Sequence, residues 1–166
     1  YRYHHLFGDL LRHRLFQSST LSTMNKEMEA DERMDAQSLN RRASEWYERN
    51  GSTVDAIHYA LAAKDFDRAA NLIELAAPEM RRNRQGATVT ELGWLKALPD
   101  DLIRFRPVLC VAYAFALFGG GEIGGVEARL LDAERWLDRM TNTREGTVTR
   151  PTGMIVVDED GFRRLP

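Results

Sequence analysis

Apolar residues recur along this chain with the 3.6-residue period of helices, and each periodic stretch is short. Tyr3, Leu6, Phe7 and Leu10 fall at i, i+3, i+4 and i+7, which predicts an amphipathic helix over 3–16. Arg12, His13 and Arg14 then sit at the negative end of its dipole. The hydroxyl-rich 17–23 competes with helical backbone bonding, and the charged 24–35 follows. Together they read as a linker, with an exposed helix over 26–34 as the alternative.

From Ala36 onward helix follows helix. Leu39, Ala43, Trp46 and Tyr47 form one stripe, stopped at Asn50-Gly51. Thr53 is placed to cap the next helix, which turns Val54, Ile57, Ala60 and Leu61 inward. Asp65 caps a third, carrying Phe66, Ala69, Ala70, Ile73, Ala76 and Ala77 to an expected end at Pro78. Thr90 opens a short helix closed by Pro99, and a turn over 100–105 precedes Pro107 in the first turn of another. Residues 107–118 are apolar almost all round, as a helix buried on several sides requires, and Gly119-Gly120-Gly121 ends them. Val126, Leu130, Ala133 and Leu137 mark the partner helix, to about Met140. Only 154–157 reads as extended.

Short helices joined by three or four residues pack antiparallel on their neighbours. Two pairs share a register: Ser44, Tyr47, Gly51, Ala56 and Ala63 are matched by Ala114, Leu117, Gly121, Val126 and Ala133. The offset is two repeats of about 34 residues. The fold class expected is therefore all-α, with tetratricopeptide-like antiparallel helix pairs forming part of a superhelical array.

Composition changes the picture in two ways. The 166 residues carry a net charge of −2, which argues against direct nucleic-acid contact by this segment. The single cysteine, Cys110, allows no intrachain disulfide and fits a cytoplasmic setting. The apolar run over 107–118 is far shorter than the ~20 residues that span a bilayer. The absence of an initiating Met and of a closing signal after Pro166 reads as two cuts in a longer polypeptide.

At this point a family becomes recognisable. Tyr3-His4-His5-Leu6-Phe7-Gly8-Asp9-Leu10-Leu11-Arg12 resembles the segment that closes the winged-helix module after the ATPase of MalT-type large ATP-binding LuxR-family regulators. The run from Arg41 to Ala70, the most distinctive part, resembles the opening of their repeat arm. Trp94 to Pro99, Arg106-Pro107, Glu127 to Leu130 and 156–166 continue the likeness.

The resemblance implies residues 1–16 as the terminal helix of a preceding winged-helix module. It also implies 17–37 as a linker and 38–166 as a tetratricopeptide-like domain, incomplete at its C-terminus. It further implies a non-catalytic, effector-sensing arm that transmits signals between an ATP-binding switch domain and a helix-turn-helix, both outside this chain. Expected partners are the other domains of that regulator, a second copy, and a small-molecule or protein effector, with no membrane. Two departures stand out. The join over 17–37 is longer than usual, and Gly124-Gly125 loosens one helix start by about 1 kcal/mol per glycine. A free-standing tetratricopeptide adaptor is the competing function.

Little chemistry is legible. No phosphate loop of the form G-x-x-x-x-G-K-[ST] occurs, so any ATP belongs to the absent switch domain and no cofactor is expected here. His5, Asp9 and His13 share a helical face but read as a solvated one rather than metal ligands. Cys110, among apolar residues, reads as an inert core thiol. Trp46, Trp94 and Trp136 read as packing residues, and Arg81, Arg82 and Arg84 as a solvated basic cluster. With no nucleophile–base arrangement, no catalytic residue is assigned.

The inner face of such an array is lined by the first helix of each pair. That places Arg41, Glu45, Glu48 and Arg49 in a candidate groove, continued in the later pair by Val111, Phe115 and Phe118. Apolar residues there call for cover, and the segment after Met140 is expected to return as that cover, with a partner as the alternative.

Overall fold

The computed structural model describes residues 25–82, 87–141 and 151–165. The chain divides into two compact units, Tyr1–Ala36 and Gln37–Pro166. Of the first, only the helix beginning at Asn25 is described.

Among the described residues the fold is all-α. The helices are α1 (Asn25–Arg49), α2 (Thr53–Ala62), α3 (Phe66–Arg82), α4 (Ala87–Ala97), α5 (Asp100–Arg104), α6 (Pro107–Gly119), α7 (Val126–Thr141) and α8 (Glu159–Arg163). A single 3-10 turn, Ile123–Gly125, leads into α7. No described helix is long and apolar enough to cross a membrane.

The core is one cluster built from small residues where helices approach and larger ones between them. Ala56, Ala60, Ala69 and Ala70 are fully buried beside Ile57, Ile73, Leu95 and Leu109. Alanine at these points lets neighbouring backbones come close, and the branched residues fill what remains at interior density. α6 buries Val108, Leu109, Cys110, Ala112, Ala114, Ala116 and Leu117, as its nearly unbroken apolar run predicts.

The two matched pairs close with the same turn. After α1, Gly51 has φ +77° and the Ser52 N–H donates to the Tyr47 carbonyl at 3.0 Å. After α6, Gly121 has φ +78° and the Glu122 N–H donates to the Leu117 carbonyl at 2.9 Å. Both are helix ends of the Schellman type, in which a left-handed residue folds the chain back onto the last turn's carbonyls.

Of the segment read as a linker, with an exposed helix over 26–34 as the alternative, residues from Asn25 onward are helical and part of α1, and 17–24 lie outside the described residues. Three expectations are corrected. Leu39 faces largely outward, because α1 starts its buried stripe only at Ser44. Pro78 lies inside α3 rather than ending it, since the stripe packed by Ala76 and Ala77 is continued past it by Met80. Ser52, not Thr53, is the N-cap of α2, and its hydroxyl donates to the Asp55 carboxylate instead of capping. Asp65 does cap α3, accepting from the Arg68 N–H at 3.3 Å. The helix expected over 3–16, and with it His5, Asp9 and His13, lies outside the described residues.

Candidate interaction cleft and tail clamp

A cleft of about 650 Å³ lies between the α1–α2 turn, α3 and α4. Its floor and walls are apolar: Ile57, Leu72, Ala76, Met80 and Trp94, with Val54 and Leu75 at the opening. Val54 is 55% and Leu75 52% exposed, so two large apolar side chains stand in water at the mouth of an apolar hollow. The polar lining is Gly51, Ser52, Thr53 and Thr90, with Glu48 and Glu79 as its charged members. Behind the turn, Tyr47 stacks on Tyr59 with ring centres 5.2 Å apart. Burial raises the Tyr47 phenol pKa above its usual value, and Tyr59 and Asp55 add to the rise.

A smaller hollow of about 190 Å³ is formed by Arg104, Phe105, Asp132, Arg135, Trp136 and Arg139. Arg139 lies over the Trp136 ring at 5.1 Å. Asp132 is ringed by Arg135 at 3.0 Å, Arg129 at 3.5 Å and Arg104 at 3.8 Å, so much of the local positive charge is already answered.

The most unusual chemistry lies under the C-terminal segment. Glu74 sits on the apolar stripe of α3, between Ala70 and Ala77, and is 0% exposed. One carboxylate oxygen, Oε2, lies 3.4 Å from Arg106 Nη1. The other, Oε1, accepts the backbone N–H of Val157 at 2.8 Å and of Asp158 at 3.1 Å. Arg106 is itself 2% exposed; its Nη1 also donates to Asn71 Oδ1 at 2.7 Å, and its Nη2 is 3.8 Å from Asp67. A buried charge pair of this kind costs much desolvation, which its mutual attraction offsets only when further hydrogen bonds complete it. Here the tail supplies two of them.

The seven groove residues expected from sequence divide between two places. Arg41 pairs with Asp65 at 2.8 Å, Glu48 with Arg68, and Arg49 with Glu45 at 3.9 Å. The first two bridges tie α1 to the start of α3 and the third lies within α1, and of the four residues only Glu48 lines the large cleft. Val111 is half-buried against the core, while Phe115 and Phe118 are 56% and 67% exposed. The tail returns to Glu74, Phe105 and Trp136, and α8 also packs against α6, the helix that carries Val111, Phe115 and Phe118. It is drawn there by the buried carboxylate and by the free Phe105 carbonyl, which accepts from the Ile155 N–H at 2.8 Å. Trp94 and Trp136 are packed as expected, and Trp46 is half exposed.

Sequence reasoning missed Glu74 and gave Arg106 no role. The signal existed: Glu74 is a lone carboxylate on an otherwise apolar helical face, and Arg106 directly precedes Pro107. Cys110 is an inert core thiol as expected. It is buried, its Sγ–H donates to the Ile103 carbonyl at 3.2 Å, and burial pushes its pKa up to about 12.

No family model matches the chain, and no solved structure matches it. It is similar to the serine/threonine-protein kinase PknK of Mycobacterium tuberculosis and of Mycobacterium bovis, at 33% identity over 116 residues in each case. The match covers 70% of this chain and 9% of the kinase, so the chain spans under a tenth of the length of these relatives.

Proposed function

We propose that this chain is the non-catalytic arm of a larger, ATP-dependent MalT-type LuxR-family regulator. In this reading it senses an effector or partner and passes the signal between domains. The observation that carries the reading is the cleft of about 650 Å³ whose apolar walls end in exposed Val54 and Leu75. Such a hollow suits the side chains of a docking segment or a small apolar effector. The repeated Schellman turns support a stacked array that presents such surfaces on rigid elements. ATP binding and DNA contact are assigned to neighbouring domains, and the setting to the cytoplasm.

The similarity to PknK favours a second setting for the same arm, as a regulatory segment within a serine/threonine kinase. The two settings differ in their neighbours. A phosphate loop encoded upstream and a helix-turn-helix downstream support the LuxR-type regulator; a kinase catalytic domain in the same reading frame replaces it with the second.

The cleft itself is tested in the full-length protein. Leu75→Asp and Val54→Asp change half-exposed positions, so the melting temperature should hold while the response to effector or partner is lost. An unchanged response in both variants removes the cleft from the signalling path.

A further inference from the structure

We propose that residues 151–165 form a strap that docks and undocks as a unit, with the Glu74 carboxylate as its latch. This deepens the reading of the chain as a signal-transmitting arm, since it gives that arm a two-state element. The strap's main chain supplies three of its ties. The Ile155 N–H donates to the Phe105 carbonyl, and the Val157 and Asp158 N–H groups share Glu74 Oε1. None of residues 151–165 is fully buried, although Glu74 beneath them is completely so. The strap therefore adds no fully buried side chain to the core, and polar main-chain contacts are part of what holds it down.

The division of labour on Glu74 makes release accessible. Oε2 faces Arg106, while Oε1 serves the strap. When the strap leaves, Oε1 meets water and the carboxylate keeps its arginine, so no buried charge is stranded. The strap also carries its own local order. The Asp158 carboxylate accepts from the Gly161 N–H at 2.8 Å, and the Phe162 N–H bonds the Asp158 carbonyl at 2.9 Å. Docked, it links α3, the α5–α6 turn and the residues that follow it in one contact. A pull on the segment beyond α8 thus reaches a buried charge pair in the middle of α3.

Hydrogen exchange of the whole chain, read amide by amide, tests this. In the unmodified protein the Ile155, Val157 and Asp158 amides should exchange at one common rate, well above that of core amides in α3 and α6. Glu74→Gln weakens a charged acceptor and should speed all three together by about tenfold or more, leaving core protection in place. Val157→Ala keeps the N–H and should change them far less. If Glu74→Gln disturbs the helices, Val157→Pro, which removes one donor and leaves the buried pair intact, carries the same test. The proposal is overturned if the strap amides exchange only with global unfolding. It is equally overturned if the latch variants leave them unchanged, or if Val157→Ala releases them as fully as Glu74→Gln. The order of neighbouring domains plays no part in this readout, so the two readings fail separately.

Discussion

Arg68 donates from Nε to the Ser44 hydroxyl at 2.9 Å, and that hydroxyl in turn donates to the Ala56 carbonyl at 2.8 Å. One fully buried hydroxyl thereby joins α1, α2 and α3. Ser44→Ala removes both bonds and leaves the Arg68 Nε proton without its acceptor. The expected loss is about 1–3 kcal/mol, read from the urea midpoint. A loss below a few tenths would show that the hydroxyl contributes no more than its volume.

Glycine-to-alanine changes should act with opposite signs at left-handed and helical positions. A Cβ at Gly51 or Gly121 meets nothing within 4 Å, so only the backbone is strained by Gly51→Ala or Gly121→Ala. Each should cost about 1 kcal/mol, and the two costs should agree because the two turns agree. Gly93 lies within α4, equally open, without a positive φ. Gly93→Ala should stabilise by roughly 0.5–1 kcal/mol through helix propensity. Thermal denaturation of the three variants side by side checks all three.

The buried pair should behave non-additively. Glu74→Leu or Arg106→Met alone strands a buried charge and should cost about 3–5 kcal/mol. The double variant should cost much less than the sum, since neither charge remains. A double-mutant cycle by chemical denaturation measures the difference. Additive losses would mean that the two residues do not depend on each other.

Cys110 gives a pH dependence with a definite sign. Its pKa rises from 9.0 in the unfolded reference to about 12 on burial. Below pH 9 both states hold the proton and the thiol's contribution to stability is complete. Above it the unfolded chain ionises first, so stability falls as pH rises toward 12. The unmodified protein should lose more stability between pH 8 and 10.5 than Cys110→Ala does. At pH 8 the native thiol should react with iodoacetamide only as fast as the chain opens.

Much of the fold was legible because its signals are local. The matched register of Ser44, Gly51 and Ala56 with Ala114, Gly121 and Val126 was visible as spacing, and the two turns repeat it in hydrogen bonds. Asn50-Gly51, Asp65 and Pro107 placed helix ends through backbone requirements that neighbouring residues cannot override. Pro78 shows the limit: a helix breaker is overruled when Ala77 packs before it and Met80 beyond it. The candidate site was less legible for a related reason. The sequence placed Glu48 and Phe115 on faces, but which faces meet depends on helix crossings that no local pattern encodes. Glu74 acquires its role from partners more than 80 positions away at Val157 and Asp158.

Gly153 stands against both Phe105 and Trp136; a Cβ there would lie 3.9 Å from the first ring and 4.0 Å from the second. Trp136 is 6% exposed, and its indole N–H is fixed on the Arg104 carbonyl at 2.6 Å. The molecule therefore carries an internal optical gauge. Departure of the strap would wet one edge of that indole and shift its emission to the red, while Trp94, buried in the wall of the cleft between α3 and α4, would hold its wavelength. In Trp46→Phe, with the half-exposed indole silenced, the colour of the emitted light would follow the position of the tail in real time and without any attached dye.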